Sequence, residues 1–132
     1  MMMIPVEIKK SEIHGLGIFA VEPICKGQVL WEFTPGLDRK VSDYAVQFAE
    51  PRKRAFIMER GYFNAKNSHW VLCVDESQWW NFPANGAPAN CVLGGEQDGE
   101  NLIIAGCDIA AGEELTICPE SDGDFKRKME GR

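Results

Sequence analysis

The residues whose types and spacing most suggest chemistry lie in one stretch, residues 75–91 (DESQWWNFPANGAPANC), where adjacent tryptophans Trp79 and Trp80 precede three asparagines, Asn81, Asn85 and Asn90. Side-chain amides donate and accept hydrogen bonds, and indoles offer wide apolar faces. A loop carrying both reads as one folded inward to line a pocket. The plainer reading stands beside it: tryptophans are common core residues, and asparagines in turns often bond their own backbone.

Two further features carry chemical potential. Gly15-Leu16-Gly17 follows His14 and precedes Ile18-Phe19-Ala20-Val21, a glycine turn that permits positive φ and close approach to the backbone. An ordinary hairpin turn looks the same. Tyr62 is one of two tyrosines, with Tyr44, so any phenol chemistry rests on one of them. Cys25, Cys73, Cys91, Cys107 and Cys118 lie far apart, without a Cys-x-x-Cys pair, and only two histidines accompany them. That is not metal-site spacing, so no metal is expected, and the odd count reads as reduced, buried thiols.

Short strands must position these residues. Residues 6–10 alternate weakly, the glycine turn follows, and residues 18–21 continue as strand. Val29-Leu30-Trp31-Glu32-Phe33 places apolar side chains at alternate positions, as a half-buried strand does, before Thr34-Pro35-Gly36 breaks it. One helical region is expected over residues 43–60, capped by Ser42 or Asp43, with Pro51 opening a second short helix and Gly61 at its stop. Tyr44, Phe48, Phe56 and Ile57 are expected to be its buried face, and Arg52, Lys53 and Arg54 its solvated face. Residues 62–63 and 69–74 read as a hairpin, as do 91–93 and 101–104 around the GGEQDGE turn. Residues 108–117 turn into a final short strand, with Glu113-Glu114 in a solvated turn. The expectation is one mainly β domain over residues 1–132 with a short helical insert and flexible ends at 1–5 and 120–132.

Bulk properties narrow the function classes. A chain of 132 residues supports one core, and its net charge of −6 argues against direct nucleic-acid binding while suiting a basic protein or peptide partner. No apolar run approaches the ~20 residues of a membrane span, and MMMIPVEIKK lacks a signal-peptide core, so a cytoplasmic protein without membrane contact is expected.

Three segments, in order, resemble the SET domain of protein lysine methyltransferases, particularly its short stand-alone bacterial form. They are IHGLGIFAVEPICKGQVLWEF with TPGLDRKVS, GYFNAKNSHWVLCVDESQWWN leading to Asn90-Cys91, and AGCDIAAGEELTI. The resemblance implies a β-clip architecture of several small β-sheets, with a C-terminal pseudoknot in which the last segment passes under a loop of the central motif. It implies S-adenosylmethionine as cofactor, with Gly15, Leu16, Gly17, Asn81 and Phe82 at its site. Tyr62 falls at the lysine channel as the catalytic candidate, and the substrate is a lysine of a basic protein or peptide. Methyl transfer from a sulfonium to a neutral amine requires alignment of both partners and a channel that disfavours the ammonium.

The chain departs from the family pattern at two places. Asn81-Phe82-Pro83 stands where Asn-His-Ser is expected, with Asn85 as the alternative for the motif asparagine. Pro119 stands where the family places a tyrosine facing the reacting amine. The enzyme reading therefore has an alternative, a catalytically degenerate SET domain serving as a binding or interaction module. A third reading, independent of the resemblance, is a small β-rich interaction domain, monomer or homodimer, whose indoles bury against a partner.

Overall fold

The structure, a computed structural model, describes residues 1–84 and 86–118. The motif alternative Asn85 and the positions from Pro119 onward lie outside the described residues. Strands β1 (Val6–Lys10) and β2 (Leu16–Ala20) pair antiparallel, with Lys10 opposite Leu16, so the intervening loop delivers the glycine turn at the hairpin tip. Strand β3 (Val29–Trp31) follows, then β4 (Arg39–Ser42), which the sequence reading does not single out.

The helical insert divides as its proline dictates. Helix α1 (Asp43–Gln47) is capped by Ser42, whose hydroxyl accepts from the Ala45 amide at 3.2 Å, and α2 (Pro51–Arg60) opens on Pro51 and ends at Gly61. The expected buried face is corrected. Tyr44 is 76% exposed, Phe48 75% and Phe56 56%, while Ile57 is only half-buried. The buried residue of the insert is Val46, and α2 buries none. A five-residue helix presents little more than one turn to the core, and Val46 takes that place. Tyr44 and Phe48, four positions apart on the opposite side, meet each other at 4.7 Å between ring centroids.

Strands β5 (Tyr62–Asn64) and β6 (His69–Leu72) form the first expected hairpin, and β4 joins them in a sheet ordered β4-β6-β5. The second hairpin is longer than expected. Strand β7 (Cys91–Gln97) and β8 (Glu100–Ala105) pair through the glycines and acids, with a register shift between Leu93 and Glu96. Only Asp98 and Gly99 form the turn, both at positive φ, as a two-residue hairpin requires. With β3 these strands make a sheet ordered β3-β8-β7.

Residues 108–117 are held by isolated bridges and belong to no continuous strand. Ile24 pairs with Ile109, Phe19 with Glu114, Asn81 with Thr116 and Cys91 with Ile117. Both termini of the described chain are anchored. The Met1 ammonium lies 2.7 Å from the buried Asp38 carboxylate, and the Met2 amide donates to Asp75 at 2.8 Å. The core gathers Ile18, Leu30, Trp31, Val71, Cys91, Ile103, Ile109 and Leu115 from all three sheets and the bridging segment. The cysteines differ in burial. Cys91 is buried as expected, but Cys25 and Cys107 are exposed.

Candidate functional site

One cleft of about 990 Å³ opens among the glycine turn, the tryptophan loop and the β5 edge. That is the upper part of the ~300–1,000 Å³ range usual for small-ligand sites. Asp75 builds one wall. Its side chain accepts from the Ser77 amide at 3.2 Å and caps a single 3-10 turn, Glu76–Trp79, which sets Trp79 and Trp80 half-buried along the cleft. Burial alone would raise the Asp75 pKa, but hydrogen bonds from Ser77 and the Met2 amide outweigh it and hold the carboxyl below its usual range. Arg60, at the end of α2, lies 5.7 Å from the Trp79 ring centroid. The expectation of an inward, pocket-lining tryptophan loop holds in this geometry.

Asn81 sits at the centre of a first polar cluster. Its amide nitrogen lies 3.0 Å from the carbonyls of His14 and Leu16 and 2.8 Å from Glu114 Oε2. All three partners are acceptors, which fixes the amide orientation and leaves Oδ1 as an acceptor with no donor among the described residues. The other Glu114 oxygen accepts from the Ser11 hydroxyl at 2.6 Å, and that hydroxyl in turn accepts from the Ile13 and His14 amides. Glu114 is thus a bonded anchor, which corrects the solvated-turn reading. Gly17 abuts this cluster: a Cβ there would stand 2.5 Å from Glu114 Oε2 and 3.2 Å from Asn81 Nδ2. Gly15 differs, with φ of +47° and nothing within 4 Å of an added Cβ, so it presents open backbone.

Asn90 secures the segment that carries Glu114. Its side chain donates to the Glu114 carbonyl and accepts from the Thr116 amide, both at 2.8 Å. Backbone bonds then grip the segment from two sides, Ile117 N to Asn81 O at 3.1 Å and Cys91 N to Thr116 O at 3.0 Å. Burial pushes the Cys91 thiol up to about 12 and the cleft-lining Cys73 thiol up to about 11, so both remain protonated at neutral pH.

A second polar cluster surrounds Glu100, which is 1% exposed. Its Oε1 accepts from the Tyr62 hydroxyl at 2.6 Å, and its Oε2 lies 3.0 Å from Asn64 Nδ2, 2.8 Å from His69 Nε2 and 3.7 Å from Lys40 Nζ. Burial alone would raise the Glu100 pKa, and the bonds from Tyr62, Asn64 and His69 reverse the shift to a net lowering. Tyr62 is pushed the other way, above the ordinary phenol, by burial and then by its bond to this carboxylate. Its ring lines the cleft and meets Trp31 edge-on, 5.9 Å between centroids. The Trp31 indole N–H is buried with no hydrogen-bond partner among the described residues.

Of the residues singled out from sequence, Gly15, Leu16, Asn81, Phe82 and Tyr62 all line this cleft, and Gly17 stands behind it against Glu114. Sequence reasoning missed Ser11, Glu114 and Glu100. The close approach at Gly17 is the signal that points to Glu114, and it is visible only in three dimensions. Among the described residues there is no group of three or more metal-ligating side chains, and no helix long and apolar enough to cross a membrane.

Comparison with known proteins places this geometry. A candidate histone methyltransferase of Plasmodium falciparum shares the fold at a TM-score of 0.61 and 20% identity, over 87% of this chain and 92% of that one. A chain of Chaetomium thermophilum Polycomb Repressive Complex 2 bound to GSK126 superposes at a TM-score of 0.67 and 21% identity over 97% of this chain. The same complex, in an autoinhibited conformation bound to S-adenosylmethionine, gives 0.62 and 20% over 98%. This chain spans 17% of the length of either Polycomb chain. No curated protein matches the sequence. The SET domain family model matches residues 15–118, a span that contains the glycine turn, the tryptophan loop and the doubly gripped segment. The chain therefore belongs to the SET domain family.

Proposed function

We propose that this protein transfers a methyl group from S-adenosylmethionine to the side-chain amine of a lysine in a basic protein or peptide. The observation that carries the reading is one cleft lined by Gly15, with its open backbone, and by Asn81 and Tyr62. The Thr116-Ile117 segment, bonded on both sides by Asn81 and Cys91, supports the pseudoknot that the family resemblance implies.

The residues present suit the donor. Trp79, Trp80 and Phe82 provide apolar walls for a purine, Gly15 admits a ligand against the backbone, Asn81 Oδ1 accepts from a donor's amino group, and Arg60 offers a cation for its carboxylate. When bound, S-adenosylmethionine supplies a sulfonium-activated methyl group. The amine nitrogen forms the new N–C bond as the C–S bond breaks, and the amine must have lost its proton to solvent beforehand. Tyr62 does not take that proton, because its own proton is held by Glu100 and its pKa lies above the ordinary phenol range. Apolar walls favour the neutral amine instead, by making the ammonium costly.

Titration calorimetry with S-adenosylmethionine and tritium incorporation into a lysine-containing basic peptide library test the two halves. Saturable heat together with label in lysine is expected. No heat at millimolar donor overturns the reading.

One observation favours the degenerate alternative. The Tyr62 proton is committed to Glu100 and Tyr44 is 76% exposed on α1, so no described phenol in the cleft has a proton to give. Donor binding without incorporation, with activity appearing only after Pro119→Tyr, would select that alternative.

A further inference from the structure

Glu100 lies outside every role derived so far, yet four side chains converge on its buried carboxylate. It comes from β8 and reaches residues on β4, β5 and β6, so it ties the two three-stranded sheets together. Its two oxygens are not equivalent. Oε2 is shared by Asn64, His69 and Lys40, while Oε1 is given to the Tyr62 hydroxyl.

A hydroxyl has one proton and two lone pairs. The Tyr62 proton is given to Oε1 across 2.6 Å, and no described side chain or backbone group donates to the Tyr62 oxygen. Toward any ligand that reaches it, the oxygen can therefore only accept. An ammonium or a polarised C–H satisfies such an oxygen, whereas a carbonyl or carboxylate is repelled by it.

We propose that Glu100 is a positioning residue for the candidate lysine site: by taking the Tyr62 proton it fixes the hydroxyl of this cleft-lining tyrosine as an obligate acceptor. The inference rests on the lysine-methyltransferase reading. It goes beyond that reading by assigning the polarity of Tyr62 to a buried carboxylate on another sheet.

Glu100→Gln is the discriminating variant, because Oε2 has three neighbours, two of them obligate donors. The carbonyl of the substituted side chain must turn to Asn64, Lys40 and His69, which leaves its –NH₂ against Tyr62. The hydroxyl then accepts from that –NH₂ and points its own proton toward the ligand. Shape is kept and polarity is reversed.

Two readouts follow. The first needs no substrate. With only two tyrosines in the chain, alkaline titration at 295 nm in a Tyr44→Phe background follows Tyr62 alone. Wild-type protein should keep the Tyr62 phenol protonated to the alkaline limit of folding, whereas Glu100→Gln should bring its ionisation into range. Equal titration curves overturn the proposal. The second readout compares lysine-peptide turnover. Glu100→Gln should lose about tenfold to a hundredfold in kcat/KM, the effect of a hydrogen bond to a charged group, with donor affinity by calorimetry unchanged. Glu100→Asp, which keeps the carboxylate, should recover part of it. A folded Glu100→Gln protein with wild-type kcat/KM overturns the positioning role and leaves the methyltransferase reading standing. Wild-type protein that binds no donor removes the methyltransferase reading and the positioning role with it, and the phenol titration still decides whether Glu100 holds the Tyr62 proton.

Discussion

The two polar clusters of the cleft are built in opposite ways. Around Asn81, side chains serve the backbone: the amide and the Glu114 carboxylate tie down the turn of residues 11–16, and the surface offered to a ligand is the open backbone at Gly15. Around Glu100, a buried carboxylate serves another side chain, and the residue set at the cleft is Tyr62. Both clusters turn on a bonded acid, half-buried Glu114 in the first and buried Glu100 in the second. An atom added at Gly17 would crowd the Glu114 carboxylate of the first, and a change of polarity at Glu100 would re-pair the second. A methyl-transfer site needs both, a shaped bed for the donor and an oriented acceptor for the amine.

The largest expected effect comes from emptying the second cluster. Glu100→Ala leaves Tyr62, Asn64 and His69 without their shared acceptor in the interior, and should cost about 3 kcal/mol or more in urea unfolding. A loss below half of that would mean water replaces the carboxylate and the cluster is less closed than its distances imply. Gly17→Ala attacks the first cluster by crowding. It should cost about 1–3 kcal/mol and weaken donor binding, since the new Cβ displaces Glu114 from Ser11 and Asn81. Gly15→Ala separates local strain from crowding: the positive φ costs about 1–2 kcal/mol, with no steric clash to add to it.

Acid should act on the second cluster through linkage. The Glu100 pKa is lower in the folded protein than in the unfolded chain, so its contribution is complete above the unfolded value of about 4.3. It is lost as pH falls through the lower folded value. Unfolding free energy should therefore drop below about pH 4, and Glu100→Gln should flatten that part of the profile. The smallest effect is outside the cleft. Tyr44→Ser should change stability by no more than about 0.5 kcal/mol, because the ring is 76% exposed. A larger loss would mark the α1 aromatics as part of the fold after all.

What was legible in the sequence was local. Ser42, Pro51 and Gly61 mark the helix limits, and the glycine turn and both hairpins follow from turn chemistry and alternation. The family and the cleft-lining loop followed from motifs in order. What was not legible was contact at long range. Ser11 bonds Glu114 across 103 residues, Asn81 bonds it across 33, and Tyr62 bonds Glu100 across 38. Each glutamate sits in or beside a glycine-containing turn that reads as solvated, so nothing local announces its partner. The aromatics of the insert failed for the converse reason. Helical spacing shows that residues share a face, not that anything covers it, and the core had room only for Val46.

The central claim is that the cleft around Gly15 and Asn81 holds S-adenosylmethionine, and titration calorimetry on the wild-type protein beside Asn81→Ala tests it most directly. The account predicts one-site saturable binding by wild type and a drop of about tenfold in affinity for Asn81→Ala, which loses one accepting oxygen and the ties that hold the turn. Absence of binding by the folded wild-type protein at millimolar donor, or equal affinity in the two proteins, would contradict it.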